Sequence, residues 1–537
     1  MPKKFNPSSK VQGGSITLFL ALTLTLVLSF CFSLLEAARV QSLSAMAQRR
    51  LLLDLESAFG EYHTALWQDY RLLFLDGSDG AGQLDLASLE GHMMGESDWA
   101  QKGSSFFQMV LRNMEVVRYG LATDGNGTAF ELQACRAMKE QLAAGAVDAW
   151  KEKLGKGEEL ASKRQGMEKT WNQAKDAVED AEVIEKQKEE AQAGEEGNVN
   201  VQPAKRESRE QAAKGEAGIL GKELPENPIE SVDLLKRSVV LQAVVENPSV
   251  ISGKTIVGFS PLEGRQKEKG NMEEMQKGSL DKICFLQYLN DFFSCYTGSG
   301  KKGSQEHALD YELEYCIAGK DTDAKNLEKV VKELLLLREV GNFATIMQDG
   351  KKQSLALEMA TAAVGFTGIV PLIEAVKLGI LLAWSYIESI LDVRSLLAGG
   401  KVPLMKKPSD WKSDVALGKE ALKQEAKKTE EEDGWDYREY LLLLLALVRE
   451  HTLVNRAMDV VEQNIRLQAG ETNFRMDQQI YHIQAEGLYV AAGFNKWGMT
   501  SSMAAARVLA DLVQGKENPY AELFSPSRSL LRPQLAA

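Results

Sequence analysis

From Ile16 to Leu35 the chain carries no charged side chain, and this run constrains what the remainder can become. At 1.5 Å per residue, a helix of about twenty residues reaches across the roughly 30 Å hydrocarbon core of a bilayer. The apolar stretch of a cleaved secretory peptide is shorter, about 7–15 residues. The preceding residues 1–14 hold Lys3, Lys4 and Lys10 and no acid, as a basic cytoplasmic leader should. Past the run, Leu34-Leu35-Glu36-Ala37-Ala38 is a poor cleavage site because of Glu36, so the reading is a retained signal anchor spanning residues 15–38. Thr17, Thr23, Thr25, Ser29 and Ser33 can bond back to the preceding helical turn and offer small contact points to other helices. Arg39, Arg49 and Arg50 nearly balance the leader lysines. The N-terminus is nevertheless placed inside, because a long acidic chain crosses with little regard to flanking charge.

The anchor does not stop cleanly. No proline occurs between Glu36 and Phe74, and Leu43, Met46, Leu51, Leu52, Leu55 and Phe59 recur near helical spacing. This predicts that the membrane helix runs on as an amphipathic stalk, the first part of a membrane-proximal region over residues 39–136. A chain of 537 residues exceeds one ordinary domain, and its 26% charged residues and abundant Leu, Ala, Glu and Lys favour helix. The expected class is mainly α with a minor antiparallel β component, α+β, carrying one N-terminal transmembrane helix. The net charge of −13 argues against nucleic acid as a partner.

Residues 137–226 shift to Lys, Glu, Ala, Gln and Gly, with apolar residues too sparse for a core. They read as a polar insertion: an exposed helix held by i,i+4 ion pairs, then a Gly-rich linker near 191–221. A coiled coil is the sharper alternative, but no heptad persists. The acidic and basic tract 420–433 reads as an exposed loop or helix end.

The organised α+β body covers residues 227–515, followed by a tail, 516–537. Leu309-Asp-Tyr-Glu-Leu-Glu-Tyr-Cys-Ile317 alternates apolar and polar residues, the pattern of a half-buried strand with Glu312 and Glu314 facing solvent. Asp321-Thr-Asp323 offers N-cap oxygens to a helix carrying Leu327, Val330, Val331, Leu334, Leu335 and Leu337. The segment 474–490 alternates again, broken at a doubled Gln, and predicts one or two antiparallel strands. The apolar run 371–391 contains Glu374, Lys377 and Glu388, too many charges for a second span, and reads as a buried core helix, as does 440–448.

The residues that carry chemistry are scattered. His63, His92, His307, His451 and His482 form no ligand pattern, and Cys31, Cys135, Cys284, Cys295 and Cys316 fit neither a zinc site nor a disulfide framework. Buried free thiols are expected; Cys284 and Cys295 fall in one helical pattern and cannot bridge within it, so any disulfide would be long-range. Thr297-Gly-Ser-Gly-Lys-Lys-Gly303 fails as a phosphate loop, with Cys295 where Gly belongs and Lys302 where Ser or Thr belongs, and reads as a connector. Asp321 and Asp323 lack the Gly and Glu of a calcium loop. Glu312 and Glu314 are paired carboxylates without a readable separation. No catalytic, cofactor-binding or metal-binding residue is assigned, no cofactor is implied, and no small-molecule ligand is evident.

Several segments carry a resemblance: Gly14-Ser-Ile-Thr-Leu-Phe-Leu-Ala-Leu, Leu35-Glu-Ala-Ala-Arg39, Asp310-Tyr-Glu-Leu-Glu-Tyr-Cys-Ile-Ala-Gly-Lys320, Leu336-Leu-Arg-Glu-Val-Gly-Asn342, Leu391-Asp-Val-Arg-Ser-Leu-Leu-Ala-Gly-Gly-Lys401 and Asp436-Tyr-Arg-Glu-Tyr440. Together they resemble an uncharacterised membrane-anchored family of Gram-positive bacteria, the domain of unknown function 5702, whose N-terminus is similar to the TadE and TadG pseudopilin-like proteins. The resemblance implies association with tight-adherence (Tad/Flp) pilus systems. A prepilin-type leader would end in Gly and place Glu at the fifth mature position; Gly14 fits, but Phe19 stands where Glu should. The polar tracts look extra in this member. The expectation is a non-enzymatic, extracytoplasmic structural or assembly component, held in membrane lipid through Ile16 to Leu35 and meeting other pilus-assembly proteins through that helix. The alternative is an anchored envelope enzyme acting on wall polymer.

Overall fold

The structure is a computed structural model that describes residues 13–95, 109–139, 144–193, 281–298, 307–413, 434–468 and 471–491, most of 240–272, positions 229, 232 and 236, and the short pieces 530–531 and 534–536. Most of the leader, the 194–221 part of the predicted linker, the tract 420–433 and most of the tail lie outside the described residues.

The apolar run opens one continuous helix, α1 (Gly13–Gly60). Its hydroxyls turn inward along the helix: Thr23 Oγ1 donates to the Phe19 carbonyl at 3.0 Å, Thr25 to Ala21 at 2.8 Å and Ser33 to Ser29 at 2.9 Å. Self-satisfied in this way, they leave an all-apolar surface. The large side chains from Ile16 to Leu35 are all bare, from Leu28 at 46% exposed to Phe19 at 68%. Beyond Glu36 the same helix changes character. Leu43, Ala47, Leu51 and Leu55, four residues apart, are buried, forming one stripe of the helix. The expected stalk is therefore packed rather than freestanding. Leu52, expected on its inner face, points outward, and the helix ends at Gly60 before a short α2 (Thr64–Tyr70).

That stripe lies on a small antiparallel sheet. Strand β1 (Leu75–Asp76) precedes α3 (Leu86–Gly95) and β2 (Met109–Leu121). The long β2 pairs from Met109 opposite Ala491 to Leu121 opposite Ile480, through three irregularities, with a strand near the far end of the sequence, β3 (Gln479–Ala491). The other edge of β3 takes β1 and the short strands β4 (Leu530–Leu531) and β5 (Gln534–Ala536) in series. Side chains from α1, α3, β2 and β3 form a separate core that includes Leu51, Leu89, Met114, Ile483 and Tyr489. Of the segment 474–490, only Gln479 onward is strand, after a 3-10 turn at Met476–Gln478. The doubled Gln marks this junction: Gln478 Nε2 donates to the Gly82 carbonyl at 2.8 Å and Gln479 Nε2 to Asp76 Oδ1 at 3.1 Å.

The larger core belongs to a helical body. It contains α4 (Asp124–Lys139), α5 (Ala144–Ser162), α6 (Arg164–Ala193), α7 (Val240–Val244), α8 (Asp281–Phe292), α9 (Glu312–Ala318), α10 (Asp323–Ile346), α11 (Gly350–Val364), α12 (Val370–Leu397), α13 (Tyr437–Leu447) and α14 (Glu450–Arg466). The chain is thus mostly helical with a small antiparallel sheet. The start of α10 is capped within the expected 321–323 segment, where Thr322 Oγ1 accepts from Lys325 N–H, and Asp436 and Glu439 form a reciprocal capping box at the start of α13, a cap not anticipated from the sequence. Among the described residues α1 and α12 are the two helices long and apolar enough to cross a membrane; the apolar window of α1 is 0% buried and that of α12 56%. Helix α12 is the expected core helix, as is α13 with Leu441 to Leu445 buried.

Two expectations fail here. The alternating segment 309–317 is not a strand: Glu312 and Glu314, expected to face solvent, are buried and lie inside α9. Alternation signals a half-buried strand only when the polar set faces water. The predicted polar insertion also contributes to the core. Trp171, Ala174, Ala177 and Ala181 of α6 are buried, and α6 packs along α12. Small alanines carry this seam by close backbone approach, so a count of large apolar residues misses it. The expected i,i+4 ion pairs are present on the outer face, Lys156 with Glu152 at 2.7 Å and Lys163 with Glu159 at 2.9 Å.

The approach of α6 to α12 depends on Gly379, where an added Cβ would lie 2.6 Å from the Ala174 Cβ and 2.8 Å from Ile229 Cδ1. Gly379→Val should cost about 1–3 kcal/mol through overpacking. A lower urea midpoint with an unchanged slope would check it.

Candidate functional site

Charged side chains buried in the helical body form two networks. The first surrounds α9. Glu312 Oε2 accepts from Ser294 N–H at 2.8 Å, and its Oε1 meets His307 Nδ1 at 3.0 Å and Asn464 Nδ2. Glu314 Oε1 accepts from Tyr296 N–H at 2.9 Å and from the Tyr437 hydroxyl at 2.8 Å, while its buried Oε2 has no hydrogen-bond partner among the described residues. Asp323 accepts from Ser252 Oγ at 2.7 Å and from the backbone of Asp310 and Tyr311. On α14, Asp459 accepts from Leu262 N–H at 2.9 Å and the Tyr315 hydroxyl at 3.2 Å, and Glu462 takes a bidentate Arg265 at 2.7 Å on both oxygens. These acids clamp loops: backbone N–H groups with no helical partner are satisfied by buried carboxylates.

Burial pushes the Glu314 carboxyl up to about 7, against the hydrogen bonds from Tyr296 and Tyr437, and pushes Asp459 to about 7 as well. Asp477, also penalised by burial, is held below the ordinary aspartate range by Arg475 and Arg265.

The second network is fully enclosed between α10, α12 and residues 400–413. Arg338, Asp392, Lys406 and Glu388 have side chains 0% exposed. Arg338 donates to Asp392 Oδ2 from Nε at 3.1 Å and Nη2 at 2.9 Å, to the carbonyls of Pro403 and Leu404 at 2.8 Å, to the Tyr440 hydroxyl at 3.0 Å and to Asn342 Oδ1 at 3.1 Å. Asn342 Nδ2 adds a third donor to Asp392 Oδ2 at 3.0 Å. Lys406 Nζ contacts Glu388 Oε1 at 2.5 Å and also Asp392 Oδ1. Glu388 in turn accepts from the backbone of Lys412 at 3.0 Å and Ser413 at 2.8 Å. Burial raises the Asp392 carboxyl, but Lys406 and Arg338 outweigh it and hold it below the ordinary range. Two cations face two carboxylates, so the charge balances inside a dry core.

Residues 221–490 match the model described as "Family of unknown function (DUF5702)". The chain belongs to this family. Both networks fall within the matched segment, whereas α1 and the strands β1 and β2 lie before it. A stretch of 50 residues, 9% of this chain, is 58% identical to a Bacillus subtilis (strain 168) protein named "Putative Rieske 2Fe-2S iron-sulfur protein YhfW"; the match spans about a tenth of that protein's length. No solved structure matches the chain.

The histidines are dispersed: His63 meets Glu471 at 3.2 Å, His92 lies 3.9 Å from Asp79, and His307 serves Glu312. Among the described residues no three His, Cys, Asp or Glu side chains are grouped to hold a metal ion. Cys135, Cys284, Cys295 and Cys316 are buried free thiols. Cys295 lies beyond the end of α8, so it shares no helix face with Cys284; it closes a turn by exchanging backbone hydrogen bonds with Gly298. Gly300, Lys302 and Gly303 lie outside the described residues. Asp321 pairs with Lys325 on the surface, while Asp323 is buried, so the two aspartates do not converge. Sequence reasoning missed the second network. Its signal was available: Glu388 and Asp392 stand four apart in the buried half of a predominantly apolar helix, one face of which must then meet cations.

Two outcomes follow. Glu314 and Asp459 have folded pKa values above their unfolded ones, so their contribution to stability is fully present below the unfolded values and is lost as pH rises through about 7. The melting temperature should fall as pH rises from about 5 to about 7 and level off above that, and Glu314→Gln with Asp459→Asn should flatten the fall. Removing one partner of the enclosed network, as in Arg338→Leu, leaves a buried carboxylate uncompensated and should cost about 3–5 kcal/mol, measured by chemical denaturation.

Proposed function

We propose that this chain is a membrane-anchored, extracytoplasmic structural or assembly component of a Tad/Flp pilus-like surface system, with no enzymatic role. The observation that carries the reading is the division of α1. Its first half presents leucines, phenylalanines and Ile16 to the outside, whereas its second half is buried on the sheet. An apolar helix surface of this extent is stable only in lipid or against other apolar helices. On this reading Ile16 to Leu35 is the membrane-facing segment, the N-terminus lies on the cytoplasmic side, and the sheet and helical body stand outside. The resemblance of this N-terminus to pseudopilin-like proteins supplies the pilus context. The continuous helix couples the segment in the membrane to the folded body without an intervening linker, which suits a part that must hold position relative to its neighbours.

A charge at the centre of such a span costs roughly 2.5–3.5 kcal/mol on insertion scales. Leu24→Arg with Leu28→Arg should shift the protein out of the membrane fraction while leaving the sheet and body folded. In the unaltered protein, protease added to whole cells should release fragments of the body, and crosslinking in the membrane should capture pilus-assembly proteins. A freely diffusing monomer without such partners would overturn the reading. Mass spectrometry of the extracted N-terminus then distinguishes an intact leader from a start at Ser15.

A further inference from the structure

The geometry points to a self-formed amide bond between Lys406 and Asp392, with Glu388 as the proton-transferring group, stapling residues 400–413 to α12. The inference stands on the enclosed network alone and does not depend on the pilus reading.

Three features set this lysine apart from an ordinary buried ion pair. First, Lys406 Nζ touches two carboxylates at once, Glu388 Oε1 at 2.5 Å and Asp392 Oδ1, with all three side chains 0% exposed. Asp392 Oδ1 faces the amine directly, ion-paired to Lys406 Nζ. Second, the two oxygens of Asp392 are held differently. Oδ2 takes three N–H donors, Arg338 Nε at 3.1 Å, Arg338 Nη2 at 2.9 Å and Asn342 Nδ2 at 3.0 Å. These donors already hold the ionised carboxylate, and the same three N–H groups would remain on Oδ2 when a nucleophile adds to the carboxyl carbon. Oδ1, turned to the lysine, is the oxygen free to leave. Third, Glu388 is fixed in place by the N–H groups of Lys412 and Ser413, so one carboxylate remains positioned as a base beside the amine.

The step balances without any co-reactant. A Lys406 ammonium and an Asp392 carboxylate become one amide and one water. Of the three protons on Nζ, one stays on the new amide nitrogen and two pass, by way of Glu388, to Oδ1, which departs as water. The Nζ lone pair forms the bond to Cγ as the Cγ–Oδ1 bond breaks, and Oδ2 becomes the amide oxygen, still held by Arg338 and Asn342. Fixed proximity supplies the effective concentration that free amines and carboxylates lack in water. Exclusion of solvent from the site opposes the reverse hydrolysis.

The test is mass spectrometry of the purified full-length protein after prolonged incubation, intact and after digestion. The expected result is a loss of one water from the intact mass and a branched peptide joining the segment around Lys406 to the segment around Asp392. Lys406→Arg, which keeps a cation but cannot form this amide, should retain the full mass, and Glu388→Gln should remain folded by circular dichroism yet lack the branch. Recovery of the two wild-type segments as separate peptides would overturn the proposal and leave only an ion network. A branch from Lys406 to Glu388 would overturn the assignment of Asp392 as the acyl group.

Discussion

The helical body depends on one guanidinium. Arg338 lies fully inside the protein, and its three nitrogens reach helices α10, α12 and α13 and the carbonyls of Pro403 and Leu404. A planar, permanently charged fork can bond in several directions at once, which a lysine at that position could not do. The energetic cost of burying it is offset only because Asp392, Asn342 and Tyr440 arrive from different parts of the chain in one arrangement. The network therefore specifies which helices meet, whereas the leucines around it supply the apolar area but would tolerate other registers.

The same logic recurs around α9, with the charges inverted. There, buried carboxylates gather backbone N–H groups from loops that have no helix or sheet to satisfy them, as Glu312 does for Ser294 and Asp323 for Asp310 and Tyr311. Irregular backbone runs through the interior of this protein, and acidic side chains make that possible. The acid-rich overall composition thus reflects internal scaffolding as well as a soluble surface.

This explains what could be read from the sequence and what could not. The bare run from Ile16, the cap at 321–323 and the core helices α12 and α13 were legible because each depends on local chemistry: an apolar length, a capping oxygen, a charge interrupting a span. The strand expected at 309–317 failed because period-two alternation assumes that glutamates face water, and Glu312 and Glu314 do not. Helix α6 was misjudged because its buried face is built from Ala174, Ala177 and Ala181, residues that also fill exposed helices. The enclosed site was invisible as a site because Arg338, Asp392 and Lys406 come together only through tertiary packing, although Glu388 stood out within its apolar run.

The pairing of β2 with β3 joins a strand ending at Leu121 to one beginning at Gln479. The entire helical body lies between them in sequence, so this ladder closes a very long loop and is dominated by non-local contact. The buried stripe of α1 meets α3 and β2, which precede the body in sequence, but its core is completed only by Ile480, Ile483, Ala485 and Tyr489 of β3. The sheet thus acts as a clasp across the helical body, and a chain truncated before residue 479 would leave β2 without its ladder partner and the stripe of α1 only partly covered.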